Sequence, residues 1–377
     1  MNTNPFYVVA VHGGAGSHSR SKTYTMEVKH ALISACESAL ARLVQNRTAL
    51  DATESAITVL EDDPSLNAGY GSNLTLEGTV ECDAALMDGA TGNYGSVGAI
   101  SGVKNPICAA RTVLRHAFIS DPLGRIPPLL MVSRGAETFA QNQGLPCVSP
   151  ELMISPRAQA DWERWKTRLD SVCAGIDVPE DNFPRSSGLR DIQDTVGAIA
   201  WDPDGGLAAG VSSGGLLLKH SGRIGEAATF GAGCWAHQLA SNDVSCSFGG
   251  VACSVSGTGE YIMRCVLAKT IGEKLLSGRG EDTHDVLHEV LENFHVVCRS
   301  LGDNEAHAGV LLLVKERDEA GTVNARLWCA FTTENMAVGY ASSLNPQPKA
   351  VIIRRPSQPA SVDRHSMYIT TLPLTAG

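Results

Sequence analysis

The chain has 377 residues, of which 43% are hydrophobic and 19% are charged. This balance is typical of a globular protein and excludes a wholly disordered chain. Lys and Arg number 30 against 40 Asp and Glu, which gives a net charge of −10. Because no basic run is present to neutralise phosphates, the composition argues against a nucleic-acid-binding protein. Length alone predicts two or three domains of about 150 residues each.

The first part of the chain alternates short apolar runs with segments of helical spacing. Residues 6–11 are β-branched and aromatic and predict a buried strand, which a glycine-rich turn over 12–16 follows. Apolar residues at helical spacing predict a helix over 25–44, and the capping-box pattern of Asp51 and Glu54 begins a second helix that ends near residue 60. After a glycine-rich loop over 67–73, the pattern predicts strands over 79–87 and 95–100 and helices over 107–116, 134–142 and 157–169.

Residues 173–194 differ in composition from the segments on either side. They are rich in Pro, Gly, Ser and charged residues, so we interpret them as a mobile loop. Directly after it, 195–201 and 207–212 flank an Asp-Pro-Asp-Gly-Gly turn and predict a hairpin. Further strands are predicted over 227–234, 250–255, 309–315, 325–332 and 337–340, and helices over 259–277 and 283–300. This order favours an α+β fold of mainly antiparallel sheets flanked by helices.

Several motifs do not define a cofactor or metal site. The 12–16 segment lacks the spacing of dinucleotide and Walker loops. His284 and His288 are four residues apart on a predicted helix, but no third ligand accompanies them, so we interpret them as an exposed helical face. The 11 cysteines form no C-x-x-C pair and indicate reduced thiols, and no run of 18 apolar residues predicts a membrane span. We expect an intracellular protein of the cytoplasm, the nucleus or both, without membrane contact.

The junction between the 173–194 loop and the following strand carries a distinctive chemistry. A Thr195 hydroxyl there can attack the carbonyl of Asp194, and hydrolysis of the resulting ester frees Thr195 as a new N-terminus. The new α-amine, with a pKa of roughly 7.7–8, can act as general base for its own hydroxyl. The β-branch of Thr restricts χ1 and holds the nucleophilic oxygen near one rotamer. The spacing alone also fits an ordinary strand that starts after a loop.

Motifs along nearly the whole chain strengthen the first interpretation. They are His12-Gly-Gly-Ala-Gly16, Asn67-Ala-Gly69, Cys82-Asp-Ala84, Lys104-Asn-Pro106, Asp194-Thr-Val-Gly-Ala198, Ser212-Ser-Gly-Gly215, Gly222-Arg-Ile-Gly225, Gly231-Ala-Gly-Cys234 and Gly257-Thr-Gly-Glu260. In this order the chain resembles the asparaginase type 2 family of threonine-type N-terminal nucleophile (Ntn) hydrolases. The resemblance implies a four-layer αββα sandwich of two mainly antiparallel sheets.

Within that family the chain is most similar to the taspase (threonine aspartase) branch. The segments that carry this similarity are Ser17-His-Ser19 with Ser21-Lys22, Gly124-Arg-Ile-Pro-Pro128, Gly233-Cys-Trp-Ala236 and Thr332-Thr-Glu-Asn-Met336. Asparaginase-type members usually have Thr where this chain has Ser213 and Asp where it has Glu226. Two features depart from the taspase pattern: the segment before the nucleophile is short and lacks a basic nuclear-import run, and Ser221 replaces an expected Pro.

The resemblance assigns a role to each motif residue. Thr195 would be the nucleophile and Ser213 would orient it. Thr258 and Gly259 would contact the oxyanion and the substrate, each donor typically worth about 3 kcal/mol. Arg223 would bind a substrate carboxylate through two parallel hydrogen bonds. Glu226 would take the place of the residue that binds the substrate's α-amino group. Asn67 would line the pocket, and Lys22 would add a second positive charge near the substrate.

An aspartyl substrate has a carbonyl group at each end of a short linker, and its orientation decides the reaction. With the α-carboxylate on Arg223, the side-chain amide meets Thr195, as in asparaginases and isoaspartyl peptidases. With the side-chain carboxylate on Arg223, the main-chain carbonyl meets Thr195, which gives cleavage after Asp. The maturation cut after Asp194 has this second form, so our leading hypothesis is a taspase-like threonine endopeptidase. The alternatives are an isoaspartyl peptidase or L-asparaginase and, outside enzymes, an uncleaved scaffold that binds acidic peptides.

The motifs on both sides of the 173–194 loop belong to one site, which revises the estimate from length. We therefore expect a single Ntn-hydrolase domain over 1–377 that autocleavage divides into chains 1–194 and 195–377. No cofactor is expected, because the terminal amine is the base, although the resemblance allows a structural alkali-metal ion near residues 60–68. The expected partners are protein substrates with an Asp at the cleavage site and, as in relatives, a second cleaved unit in a homodimer.

Overall fold

The computed structural model of the chain describes residues 5–175, 195–240, 247–277, 282–304, 307–317, 323–356 and 367–374. The helices are α1 (Lys22–Val44), α2 (Ala49–Glu61), α3 (Pro106–His116), α4 (Ser133–Asn142), α5 (Pro156–Cys173), α6 (Gly259–Cys265), α7 (Leu267–Leu276) and α8 (Thr283–Ser300). The strands are β1 (Val8–Gly16), β2 (Cys82–Asp88), β3 (Tyr94–Ile100), β4 (Leu130–Val132), β5 (Val196–Trp201), β6 (Leu207–Ser213), β7 (Cys234–Gln238), β8 (Phe248–Gly257), β9 (Ala308–Arg317), β10 (Val323–Phe331), β11 (Asn335–Ser342), β12 (Asn345–Arg354) and β13 (Tyr368–Leu372).

The strands form two sheets that pack face to face. One has the order β12-β11-β1-β5-β6-β2-β3-β4, and the other has the order β13-β10-β9-β8-β7. All pairings between these strands are antiparallel except that of β3 with β4. Helices α1 to α3 cover the outer face of the larger sheet, and α7 covers the smaller sheet with α8 beside it. The predicted four-layer α+β architecture is confirmed.

The alternation of side chains along the central strands builds both cores. In β1, Val8 and Ala10 pack with the second sheet, whereas Val9 and Val11 pack with α1 and α2. Both sets are buried, so β1 is apolar on each face, as a central strand between two layers must be. Strands from before and after the 173–194 loop share the larger sheet, because β1 lies between β5 and β11.

Three sequence predictions were wrong in detail. The glycine-rich 12–16 segment is part of β1, where a register shift between His12 and Ala15 absorbs Gly14 at φ 102°. The strand predicted over 227–234 is a short 3-10 turn followed by a loop, and β7 begins at Cys234. The helix predicted over 259–277 divides at Val266, which adopts φ 45°. A β-branched residue seldom takes this left-handed conformation, so the pattern contained no sign of the break.

The predicted mobile loop lies mostly outside the described residues. Helix α5 continues to Cys173, so the start of the predicted loop is helical, and 176–194 are not described. The Asp194 side of the proposed cleavage bond therefore stays a prediction, as do the single domain and its division into two chains. Within the described ranges, no helix combines the length and apolar character that crossing a bilayer requires.

Candidate active site

Thr195 and Ser213 meet at the ends of two paired strands. Strand β5 begins one residue after Thr195, and Val196 is paired with Ser212, so the next position places Thr195 opposite Ser213. Both residues are buried. Thr195 Oγ1 lies 3.1 Å from Ser213 Oγ, and Ser213 Oγ accepts the Gly215 backbone N–H at 3.0 Å. Ser213 is thus held by its own loop in contact with the Thr195 hydroxyl.

Glu226 also contacts the Thr195 hydroxyl. It begins the 3-10 turn Glu226–Ala228, and its Oε1 lies 2.7 Å from Thr195 Oγ1. The Thr195 hydroxyl is placed as donor to both Ser213 Oγ and Glu226 Oε1, and its single proton serves one acceptor at a time. Burial raises the pKa of Glu226, and the nearby Arg223 guanidinium opposes part of this rise. A carboxyl group that changes charge nearer to neutral pH is therefore in contact with the predicted nucleophile.

Three glycines surround the guanidinium of Arg223. A Cβ on Gly215 or Gly225 would lie 3.1 or 2.8 Å from Nη1, and one on Gly259 would lie 3.0 Å from Nη2. Gly215 has a positive φ, 67°, but Gly225 has φ −100°, so at Gly225 the close approach alone requires glycine. A Cβ on Gly259 would also lie 2.4 Å from Glu226 Oε2. The glycines therefore allow the guanidinium and the Glu226 carboxyl group to lie together.

Arg223 forms an ion pair with Glu260, the second residue of α6. Its Nε and Nη2 both donate to Glu260 Oε1, at 3.0 and 2.7 Å. The sequence pattern included Glu260 in a motif but gave it no role. Its contact depends on how α6 packs against the loop before the 3-10 turn, which no local signal reveals.

Of the two residues predicted to contact the oxyanion, Gly259 lies beside Glu226 and Arg223, whereas Thr258 is bound to another segment. The Thr258 backbone N–H donates to His307 O at 2.8 Å, and Thr258 Oγ1 accepts the His307 N–H at 3.0 Å. The Thr258 amide is therefore engaged, and its hydroxyl proton is the group that could reach an oxyanion. That role stays a prediction.

Asn67 supports the active-site loop with its side chain. Its Nδ2 donates to Gly215 O at 2.9 Å, and its Oδ1 accepts the Asn73 N–H at 2.8 Å. The Gly214 N–H donates to the Asn67 carbonyl at 2.9 Å. In this structure both ends of the amide thus hold backbone around Ser213, and the predicted contact with substrate is untested.

Lys22 is exposed at the start of α1. It lines a cleft of about 510 Å³ with Arg20, Lys29, Arg354 and apolar or hydroxyl side chains. Among the contacts of the described residues, none joins Lys22 to Thr195 or Arg223. Its contact with substrate stays a prediction.

Two buried ionisable residues near the site were missed as functional candidates. Asp83 accepts the Gly225 N–H at 2.7 Å through Oδ2 and the Ala99 N–H at 2.8 Å through Oδ1. Lys219 donates to Gly214 O at 2.9 Å, and burial lowers its pKa. They fix the loops on either side of Arg223. Asp83 lies in one of the motifs quoted above, which could have signalled its importance.

His12 is a third residue that the sequence pattern treated only as part of a turn. It is fully buried in β1, and its Nε2 lies 2.8 Å from Ser254 Oγ. Ser254 donates its own proton to Gly210 O at 3.0 Å, so His12 Nε2 is the donor to Ser254. Burial lowers the pKa of His12 to about 4, and the imidazole is therefore neutral at pH 7. It joins the two sheets one strand away from Thr195.

Backbone carbonyls of the loop near residues 60–68 lie close to two glycines. A Cβ on Gly71 would lie 2.0 Å from Leu66 O and 2.8 Å from Asp63 O, and one on Gly69 would lie 2.4 Å from Glu61 O. Alkali ions prefer oxygen ligands, as other hard cations do. An alkali-metal ion there stays a prediction. In the described part of the chain, His, Cys, Asp and Glu form no group of three or more that could hold a metal ion.

The fold and the strand-end threonine define a class, the Ntn hydrolases. Comparison with known sequences specifies the family. The model of the asparaginase family matches residues 5–343, and the chain therefore belongs to the type 2 asparaginase family. Together with the fold, this membership makes it a hydrolase of the Ntn type.

Relatives from bacteria, archaea and animals are similar to most of the chain. The isoaspartyl peptidase of Salmonella typhimurium is 36% identical over 268 residues, which are 70% of this chain and 77% of that protein. The isoaspartyl peptidase/L-asparaginase of Mus musculus is 35% identical over 262 residues, 70% of each chain. The plant-type L-asparaginase of Pyrococcus horikoshii is 36% identical over 271 residues, 70% of this chain and 77% of that one.

Proposed function

We propose that the protein cleaves itself before Thr195 and then hydrolyses amide bonds of aspartyl groups. The second of these activities is the one for which its relatives, the isoaspartyl peptidases and asparaginases, are named. The observation that carries this proposal is the contact of the Thr195 hydroxyl with Ser213 and Glu226 beside a guanidinium enclosed by glycines. A nucleophile and a carboxylate-binding cation lie within one small buried site, which is what hydrolysis of a short acidic substrate requires.

The mechanism follows from these positions. In the intact chain the Thr195 oxygen attacks the preceding carbonyl, the C–N bond breaks, and water hydrolyses the ester. The freed α-amine then takes the hydroxyl proton as Thr195 attacks the substrate amide, and returns it to the leaving amine. Ser213 orients the nucleophile, Arg223 binds the substrate carboxylate, and the Thr258 hydroxyl with the Gly259 amide would stabilise the oxyanion. Water releases the acyl group, and no cofactor takes part in these steps.

Intact mass spectrometry tests self-cleavage. The wild-type protein should yield chains 1–194 and 195–377, and Thr195→Ala should remain one chain. A wild-type preparation that stays uncleaved through long incubation would favour the uncleaved scaffold instead. With mature enzyme, release of ammonia from L-asparagine and cleavage of an isoaspartyl dipeptide should both be lost in Thr195→Ala.

A second candidate is the taspase-like endopeptidase, which one observation favours. Glu226 is buried, and this burial raises the pKa of its carboxyl group, which favours its neutral form more than exposure to water would. A neutral acid matches the uncharged amide that precedes an internal Asp better than it matches a free ammonium group. Incubation of the mature enzyme with a peptide containing internal Gln-x-Asp-Gly distinguishes the two: cleavage after Asp supports the endopeptidase, and turnover of the isoaspartyl dipeptide alone contradicts it.

A further inference from the structure

The ion pair between Arg223 and Glu260 uses only one edge of the guanidinium. Glu260 Oε1 accepts from both Nε and Nη2, which together form the side edge of the planar, fork-shaped guanidinium. Among the residues that the structure describes, none accepts a hydrogen bond from the end edge, which consists of Nη1 and the second proton of Nη2 and can donate to another carboxylate. One protein oxygen thus fixes the plane of the guanidinium without occupying the end where a substrate could bind with two parallel bonds.

The surroundings of Nη1 show where the end edge lies. Nη1 is the atom closest to the Cβ positions of Gly215 and Gly225, and Nη2 lies 3.0 Å from that of Gly259. Ser213 Oγ accepts the N–H of Gly215, and the Cβ position of Gly259 is 2.4 Å from Oε2 of Glu226, whose other oxygen contacts Thr195. The Nη1 end of the guanidinium therefore lies beside the loops that carry Ser213 and Glu226, and the edge bound to Glu260 faces the start of α6.

A role in folding stability explains Glu260 poorly. Its side chain is 45% exposed and that of Arg223 is 16% exposed. Ion pairs with a partner open to water contribute little to stability, since solvent screens the charges. Arg223 is in turn a long side chain with several rotatable bonds, and without a second contact its guanidinium would sample several orientations beside glycines that offer no side-chain support.

We infer that Glu260 is a positioning and specificity-determining residue that holds the Arg223 fork so that its Nη1–Nη2 edge receives the substrate carboxylate. The inference rests on the proposed function only in that Arg223 binds this carboxylate, and it holds for either substrate orientation. A competing role is that Glu260 occupies the place of the substrate carboxylate and must be displaced. The two roles predict opposite changes in affinity when Glu260 is removed.

The test compares Glu260→Ala and Glu260→Gln with wild type on L-asparagine and on its α-carboxamide analogue, which lacks the carboxylate. If Glu260 positions Arg223, Glu260→Ala should raise KM for asparagine about tenfold, the loss expected for a displaced charge-assisted hydrogen bond, with kcat within about twofold. Glu260→Gln keeps an oxygen that can accept the same two N–H groups and should recover much of the loss. Turnover of the carboxamide should not change.

A matched control is Glu273→Ala, which removes a carboxylate from an exposed pair with Lys269 on α7 and should leave every parameter unchanged. A lower KM in both Glu260 variants would show that Glu260 competes with substrate and would overturn the inference, as would an equal loss with the carboxamide.

If wild type turns over neither substrate, the proposed function fails independently of the role of Glu260. The affinity for L-aspartate, measured by calorimetry, then decides: a weaker affinity in Glu260→Ala supports the positioning role, and an unchanged affinity or no binding to wild type contradicts it.

Discussion

Replacing Glu226 with Gln should separate substrates that carry a free α-amino group from those that do not. Glu226 contacts the Thr195 hydroxyl through Oε1, and its Oε2 lies on the Gly259 side of the pocket. Gln keeps the shape and an acceptor oxygen but cannot carry a negative charge. Only a substrate that presents an ammonium group to this position should lose a charge-assisted bond.

The size of the effect follows from the two kinds of hydrogen bond. A bond to a charged group contributes about 1.5–3 kcal/mol and a neutral one about 1 kcal/mol. Their difference, about 0.5–2 kcal/mol, corresponds to a roughly 2–30-fold fall in kcat/KM. We expect this fall for L-asparagine and isoaspartyl dipeptides and a change of about twofold at most for a peptide with an internal Asp. Glu292→Gln, on an exposed face of α8, is the control.

The pH dependence gives an independent readout. Since burial raises the pKa of Glu226 above 4.5, its charge is lost as the pH falls through that raised value. The kcat/KM of wild type for asparagine should therefore fall on the acidic side with protonation of two groups, the Glu226 carboxylate and the free amine of Thr195, whereas Glu226→Gln should keep only the limb of the amine. Steady-state assays of both substrate types across pH measure the effect. An equal loss for both types, or an acidic limb as steep in the Gln variant as in wild type, would refute the assignment of Glu226 to the amino group.

Three further outcomes test other parts of the site. Gly225→Ala should raise KM at least tenfold with an unchanged melting temperature, because its Cβ would lie 2.8 Å from Nη1 of Arg223, the residue proposed to bind the substrate carboxylate. The control Gly135→Ala, in open space, should leave KM unchanged. Ser213→Ala should lower kcat by about tenfold or more and leave KM nearly constant, since the lost hydroxyl contacts only Thr195 and its own loop. Burial raises the pKa of Glu61 to about 8, so the folded protein binds an extra proton between about pH 4.5 and 8. The free energy of unfolding should therefore fall as the pH rises through that range. Thermal unfolding at a series of pH values measures this dependence, which should be weaker in Glu61→Gln.

Short-range patterns predicted the central hairpin, whereas the four-layer arrangement followed from the resemblance to the family. The strands around 195–212 alternate with turn residues between them, and β5 and β6 lie within one or two residues of the predicted bounds. Strand β12 was missed for an equally physical reason. It contains Pro346 and Pro348, which argue against a strand interior, but β12 is the edge of its sheet, where a residue without an N–H is tolerated.

The site itself combines residues that local patterns treat separately. Thr195 and Ser213 could be paired from the hairpin alone, because antiparallel register places them opposite each other. The contact with Glu226 could not, since it requires a 3-10 turn to direct the carboxyl group back across the end of β5. Side-chain length matters here: an Asp at this position would be shorter by one C–C bond, about 1.5 Å, and would not reach an oxygen 2.7 Å from Glu226 Oε1 without a shift of the backbone. The additional methylene group of Glu226 therefore lets its carboxyl group contact the predicted nucleophile directly.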